Sequence, residues 1–146
     1  MEREQKARRI CAGLFLAYGL MMMYLLFLQR TPSEEGAYNL VPLHTIRHQL
    51  RLLSGGAFVQ FAYVNLVGNV VMFLPLGLLP GIWKRQRKPG WYSLTTALGI
   101  AAVEAAQYLT RLGSADIDDW ILNMVGALMG FEFWRTVSKR RRCFDE

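Results

Sequence analysis

Cysteine is scarce in this chain: its 146 residues hold two, Cys11 and Cys143, near opposite ends. A disulfide framework is thereby excluded, and the topology deduced below puts both thiols towards a reducing, cytoplasmic side. Acids are also few, 11 against 17 Lys and Arg, for a net charge of +6. A basic balance invites a nucleic-acid reading. The pattern argues against it, because the basic residues bunch between long charge-free stretches instead of covering one face. No acid lies between His44 and His48, one turn apart, as it would in a zinc-protease helix. They read as interfacial histidines, and neither a metal nor another cofactor is expected. Ser114 and Thr110 have no activating base in view, so nucleophilic catalysis finds no support.

What the sequence has is apolar residues, 53% against 19% charged, and they are gathered into runs. Ile10 to Leu28 is nineteen residues without a formal charge. At 1.5 Å per residue, that spans the roughly 30 Å hydrocarbon core of a bilayer. The run is long for the apolar part of a signal peptide and no A-x-A-like site follows it, so it reads as a retained span. Further spans are placed at about 57–83, 92–109 and 118–134. Pro75 removes a helical hydrogen bond and predicts a kink or break around Phe73–Gly77. Pro89-Gly90 reads as the turn of a tight basic loop, with Trp83 and Trp91-Tyr92 as an aromatic belt around it.

Basic clusters set the orientation. Arg3, Lys6, Arg8 and Arg9 precede the first span; Lys84, Arg85, Arg87 and Lys88 lie between the second and third; Arg135, Lys139, Arg140, Arg141 and Arg142 follow the fourth. The bias predicts an all-α integral membrane protein, a bundle of four transmembrane helices with both termini cytoplasmic. Residues 1–9 then form a basic N-terminus, 10–134 the membrane domain and 135–146 a basic tail. In the long loop after span one, Thr31–Gly36 supply turn formers. Leu43, Ile46, Leu50 and Leu53 then recur at helical spacing, with Arg47, His48, Gln49 and Arg51 between them. This predicts a short extracytoplasmic amphipathic helix on the membrane surface.

Against this background the polar residues inside the runs need a reason, since burying them unpartnered is costly. Asn65 and Asn69 are one turn apart in span two, with Gly68 beside them as a site for close backbone approach. Glu104 and Gln107 share a face of the Ala-rich span three. Asp116, Asp118 and Asp119 open span four, followed by Asn123, Gly126 and Gly130; as a motif, Gly126-x-x-x-Gly130 alone is weak. The topology puts Asn65, Glu104, Gln107, Asp119 and Asn123 about 0–12 Å below the outer interface. Three helices delivering polar groups to one level predicts a shared pocket open to the outer leaflet.

Several stretches together resemble the VanZ-like family of small bacterial membrane proteins. They are Tyr38-Asn-Leu-Val-Pro-Leu-His-Thr-Ile46; Asn65-Leu-Val-Gly-Asn69 with Phe73-Leu-Pro-Leu-Gly77; Glu104-x-x-Gln107; and Leu112-Gly-Ser-Ala-Asp-Ile-Asp-Asp119 with Asn123, Gly126 and Gly130. They occur in the family's order across residues 38–131. The resemblance implies a multi-pass protein of the bacterial plasma membrane whose prototype is associated with resistance to the glycopeptide teicoplanin. It carries over Asn65, Asn69, Glu104, Gln107, Asp116, Asp118, Asp119 and Asn123 as pocket residues. His44 and Ala115 depart from the family pattern, the second removing an aromatic side chain usual before the acids.

Three functions fit these residues. A non-catalytic module would bind a membrane lipid or cell-wall precursor in the polar pocket, with no nucleic acid as partner and self-association into a homo-oligomer left open. An enzyme acting on a lipid-linked phosphate would use Glu104 against the ionised Asp116, Asp118 and Asp119, or hold a divalent metal on those acids. A structural protein would use the same groups as a hydrogen-bonded knot between helices. Asp118-Asp119 at a helix start also fit simple capping.

Overall fold

The computed structural model describes residues 2–28, 38–55, 59–81 and 88–144. The turn formers Thr31–Gly36, the loop residues Lys84, Arg85 and Arg87, and Trp83 lie outside them. The chain is mostly helical. α1 (Glu2–Met23) widens into a π-helical turn at Tyr24–Leu28 and carries the first apolar run. β1 (Tyr38–Asn39) leads to α2 (His44–Gly55), and α3 (Val59–Phe73) passes into a 3-10 helix at Leu74–Gly81. α4 (Pro89–Thr110), β2 (Ala115–Asp116) and α5 (Ile117–Phe144) complete it. β1 and β2 pair in parallel, Tyr38 with Ala115 and Asn39 with Asp116.

Among the described residues, two helical stretches are long and apolar enough to cross a membrane, Arg9–Leu28 and Ala62–Pro80. α4 and α5 have the length but fall short by composition. α4 is built from Ala, Thr and Gly around Glu104, and α5 has Asp118 and Asp119 at one end with Glu132 and Arg135 further along. α5 also runs past the expected end near Trp134, continuing helical through the basic tail to Phe144.

The break expected at Pro75 falls where α3 gives way to the 3-10 helix. A proline at 75 has no N–H to donate and its ring presses on the carbonyl four residues back, so the α pattern stops at Phe73. Pro89-Gly90, by contrast, is no turn. Pro89 takes the first position of α4, where a missing N–H costs nothing and its fixed φ suits the helix. α4 ends with Arg111 in the left-handed region (φ 57°), its N–H returned to the Tyr108 carbonyl at 3.2 Å.

The core is a seam between α5 and the α3/3-10 segment. A Cβ at Gly126 would collide with the Val70 carbonyl, and one at Gly130 with the Leu74 carbonyl. One at Gly77 would run into the backbone of Gly130 and Phe131. Gly126 and Gly130 are thus where two backbones touch, as small-residue spacing allows. Gly68 is not such a site, because a Cβ added there would meet nothing within 4 Å. Tyr92 stacks on Phe131 at 4.5 Å between centroids and donates to the Ala127 carbonyl at 3.0 Å, binding α4 to the seam. Trp120 ties α5 to α4 again through its indole N–H on the Ala97 carbonyl, 3.1 Å.

α1 contributes one stripe. Tyr18, Met22 and Leu26, at four-residue steps, face the bundle, whereas Leu14, Leu16, Leu20 and Met23 are exposed. Tyr18 donates its hydroxyl to the Met72 carbonyl at 2.5 Å. Gln107, 1% exposed, donates its amide to the Leu26 carbonyl at 3.0 Å from α4.

α2 is the amphipathic helix that the sequence predicts, with a shifted face. Its inner side is Thr45, Ile46, Gln49, Leu52 and Leu53, and it packs on α3. Leu43 and Leu50, read as apolar anchors of that face, are exposed, and Gln49 is buried instead. The shift arises because Thr45 is drawn inward by a hydrogen bond to Asp116.

Candidate functional site

The stretch from β2 into the first turn of α5 carries three acids in four residues, and each is used differently. Asp116, at the end of β2, is held from three sides. Its carboxylate accepts the Thr45 hydroxyl at 2.6 Å, the Asn39 amide at 3.1 Å and the Asp118 backbone N–H at 2.9 Å. Asn39 is fixed in turn: its amide also donates to the Thr45 hydroxyl (3.0 Å), and its carbonyl accepts the Val41 N–H (3.1 Å). The two-residue strand pair is what brings Asn39 and Asp116 opposite each other.

Asp118 is fully buried, and its acceptors go to the start of α2. One oxygen takes the Leu43 N–H at 2.5 Å and the other the Ile46 N–H at 3.1 Å. A helix start leaves such donors unsatisfied, and Leu43, Pro42 and Val41 offer no side-chain acceptor. Asp118 supplies it from 75 residues away. The same bond holds Leu43 in the left-handed region (φ 64°), an uncommon conformation for a bulky residue. Asp118, foreseen as a cap of its own helix, thus caps α2 instead, while α5 is capped by Asp116, which stands before Ile117 and accepts the Asp118 N–H.

Asp119 turns the other way and accepts the Asn69 amide of α3 at 2.7 Å. Between these groups lies a cleft of about 480 Å³, lined by Asn65, Gly68 and Asn69 of α3, Thr45 of α2, and Ser114, Asp116 and Asp119, with Val64 and Met72 as its apolar part. Two carboxylates, two amides and two hydroxyls meet there. None of the described lining residues is Lys, Arg or His.

Of the eight residues carried over from the sequence, the structure brings Asn65, Asn69, Asp116 and Asp119 to this cleft. Gln107 does not reach it and joins α4 to the first apolar run. Glu104 lies on the opposite side of β2, where its carboxylate accepts the Asp116 N–H at a long 3.4 Å. It sits there in an apolar groove of about 370 Å³ with Leu40, Ala97, Leu98, Ala101 and Trp120. Asn123 is buried, 3% exposed, one turn beyond Asp119. The pocket expected from three spans is thus built by α2, α3 and the β2–α5 turn, while α4 stays behind it. Two members were not singled out from the sequence, Asn39 and Thr45. Both stand in the stretch Tyr38–Ile46, but only the tertiary pairing shows whom they bind.

The acids diverge, and among the described residues no three His, Cys, Asp or Glu are placed to share a metal ion. His44 and His48 are both exposed on α2.

The family profile described as VanZ/LLP1 matches residues 15–138. Protein VanZ of Enterococcus faecium is 26% identical over 129 residues, covering 87% of this chain and 78% of that protein. No solved structure gives a significant match.

Proposed function

This chain belongs to the VanZ/LLP1 family, and from that premise we propose that it is a multi-pass protein of the bacterial plasma membrane with a VanZ-like role in teicoplanin resistance. In this reading α1, the α3/3-10 segment, α4 and α5 form a four-span bundle with both termini cytoplasmic. The alternation of basic clusters and apolar runs supports that orientation, and the two stretches of spanning length and composition among the described residues support insertion in a membrane. α2 then lies on the outer surface, and the cleft opens beside it. Its working role is to bind a membrane lipid or cell-wall precursor, without covalent chemistry.

One observation carries the proposal: Asn65 and Asn69 of α3, Asp116 of β2 and Asp119 of α5 line one cleft with Thr45 and Ser114. Polar groups at membrane depth are expensive and mark functional sites by default. Asp118 and Gln107 lie outside the cleft and join elements of the fold, Asp118 to the start of α2 and Gln107 to the Leu26 carbonyl. The test is protection of cells from teicoplanin by Asp119→Asn and Asn65→Leu variants at wild-type expression. Both should lose protection; if both protect as well as the parent chain, the cleft is not the working part.

A further inference from the structure

Resting on the membrane placement of α2 and not on the cleft, we propose that the outward face of α2 docks on anionic lipid headgroups of the outer leaflet. The inner face is already packed on α3. What remains is two adjacent stripes at helical spacing, Leu43-Arg47-Leu50 and His44-His48-Arg51, every member of them exposed. Cations and leucines thus share one face. Such a mixture suits the boundary at which lipid phosphates meet acyl chains.

The charge on this face has one sign. Residues 38–55 contain no Asp or Glu, and α3, the helix under α2, has no charged residue along its length. Asp116 and Asp118, which do meet this segment, are buried and bonded on its inner side. Arg47 and Arg51 therefore present positive charge outward, and each imidazole adds an N–H donor. An anionic headgroup answers both. A zwitterionic one offers acceptors without net attraction.

The corner before the helix supplies a second observation. Leu40, Val41 and Leu43 are between 41% and 68% exposed, yet the backbone that carries them is held. Asn39 is fixed opposite Asp116 by the strand pair, and Asp118 holds Leu43 at positive φ. A bulky residue kept in the left-handed region is strained, and such strain persists where the surrounding structure fixes it and clusters at sites that use it. Here it presents aliphatic side chains beside the cations. At the headgroup boundary those side chains enter the apolar layer beneath the phosphates.

The test places a reporter on the face itself. In a Cys11→Ser, Cys143→Ser background, Leu50→Cys is labelled with a polarity-sensitive fluorophore, and the full chain is put singly into phosphatidylcholine nanodiscs with or without phosphatidylglycerol. Emission should move to the blue as phosphatidylglycerol is added, and salt at about 1 M should reverse most of the shift. Arg47→Gln and Arg51→Gln should each weaken the response roughly fivefold. Leu43→Asn, which suits the left-handed backbone, should shrink the shift without lowering the unfolding midpoint.

Equal emission in the two lipids, or a phosphatidylglycerol response that survives both arginine variants, overturns the proposal. So does a blue shift seen only in discs that hold two copies, which would assign the face to a second copy of the chain. A chain that does not enter discs at all contradicts the membrane placement and the docking with it. Asp119→Asn should leave the shift unchanged, so a failure here leaves the cleft to stand or fall on teicoplanin protection.

Discussion

Asp118 caps a helix that lies far before it in sequence: its carboxylate accepts the N–H groups of Leu43, which precedes α2, and of Ile46, in its first turn, at 2.5 and 3.1 Å. The two donors are those that a capping box would satisfy from within one helix. Here the start of α5 satisfies them, so the turn that carries Asp116 and Asp119 is locked to the helix that carries Thr45.

Asp118→Ala should therefore lower the unfolding free energy by about 2–3 kcal/mol, the cost of leaving buried donors unpaired. Asp118→Asn retains one acceptor oxygen and should lose less. Chemical unfolding in detergent, compared between the two variants, measures this. Equal stability of Asp118→Ala and the parent would show that α2 does not depend on the cap.

The seam between α5 and the α3/3-10 segment predicts a contrast between glycines. Gly126→Ala should destabilise by about 1–3 kcal/mol, because the added methyl meets the Val70 carbonyl. Gly99→Ala, on a face of α4 with nothing within 4 Å, should be neutral or stabilising by up to ~1 kcal/mol. The same unfolding assay checks both, and a neutral Gly126→Ala would contradict the close crossing.

Among the described residues, two long-range hydrogen bonds join α1 and the π-helical turn that continues it to the bundle, Tyr18 to Met72 and Gln107 to Leu26. Tyr18→Phe and Gln107→Leu should each cost roughly 0.6–1.7 kcal/mol, the range of such bonds between membrane helices. Because the two bonds attach α1 at different points and share no partner, their effects should add to within ~0.5 kcal/mol in the double variant.

These relationships also show how far the residues alone could be read. The apolar runs, the break at Pro75 and an amphipathic helix after span one were legible, because each follows from local composition and period. Which acid does what was not, since Asp116, Asp118 and Asp119 each bind a different partner 50 or more residues away. Gln49 replaced Leu50 on the inner face of α2 for the same reason: the bond from Thr45 to Asp116 sets the rotation of the helix. Pro89-Gly90 misled because a proline ends one helix and begins another with equal ease. Gly68 and Gly126 look alike in sequence, and only the crossing tells them apart.

Labelling of Ser114→Cys, made together with Cys11→Ser and Cys143→Ser, tests the outward-facing cleft most directly. Intact cells carrying this variant are treated with a membrane-impermeant maleimide and then challenged with teicoplanin. The proposal predicts modification without permeabilisation and loss of protection once the cleft is filled by the label. Modification only after permeabilisation, or a fully labelled protein that still protects, would contradict it.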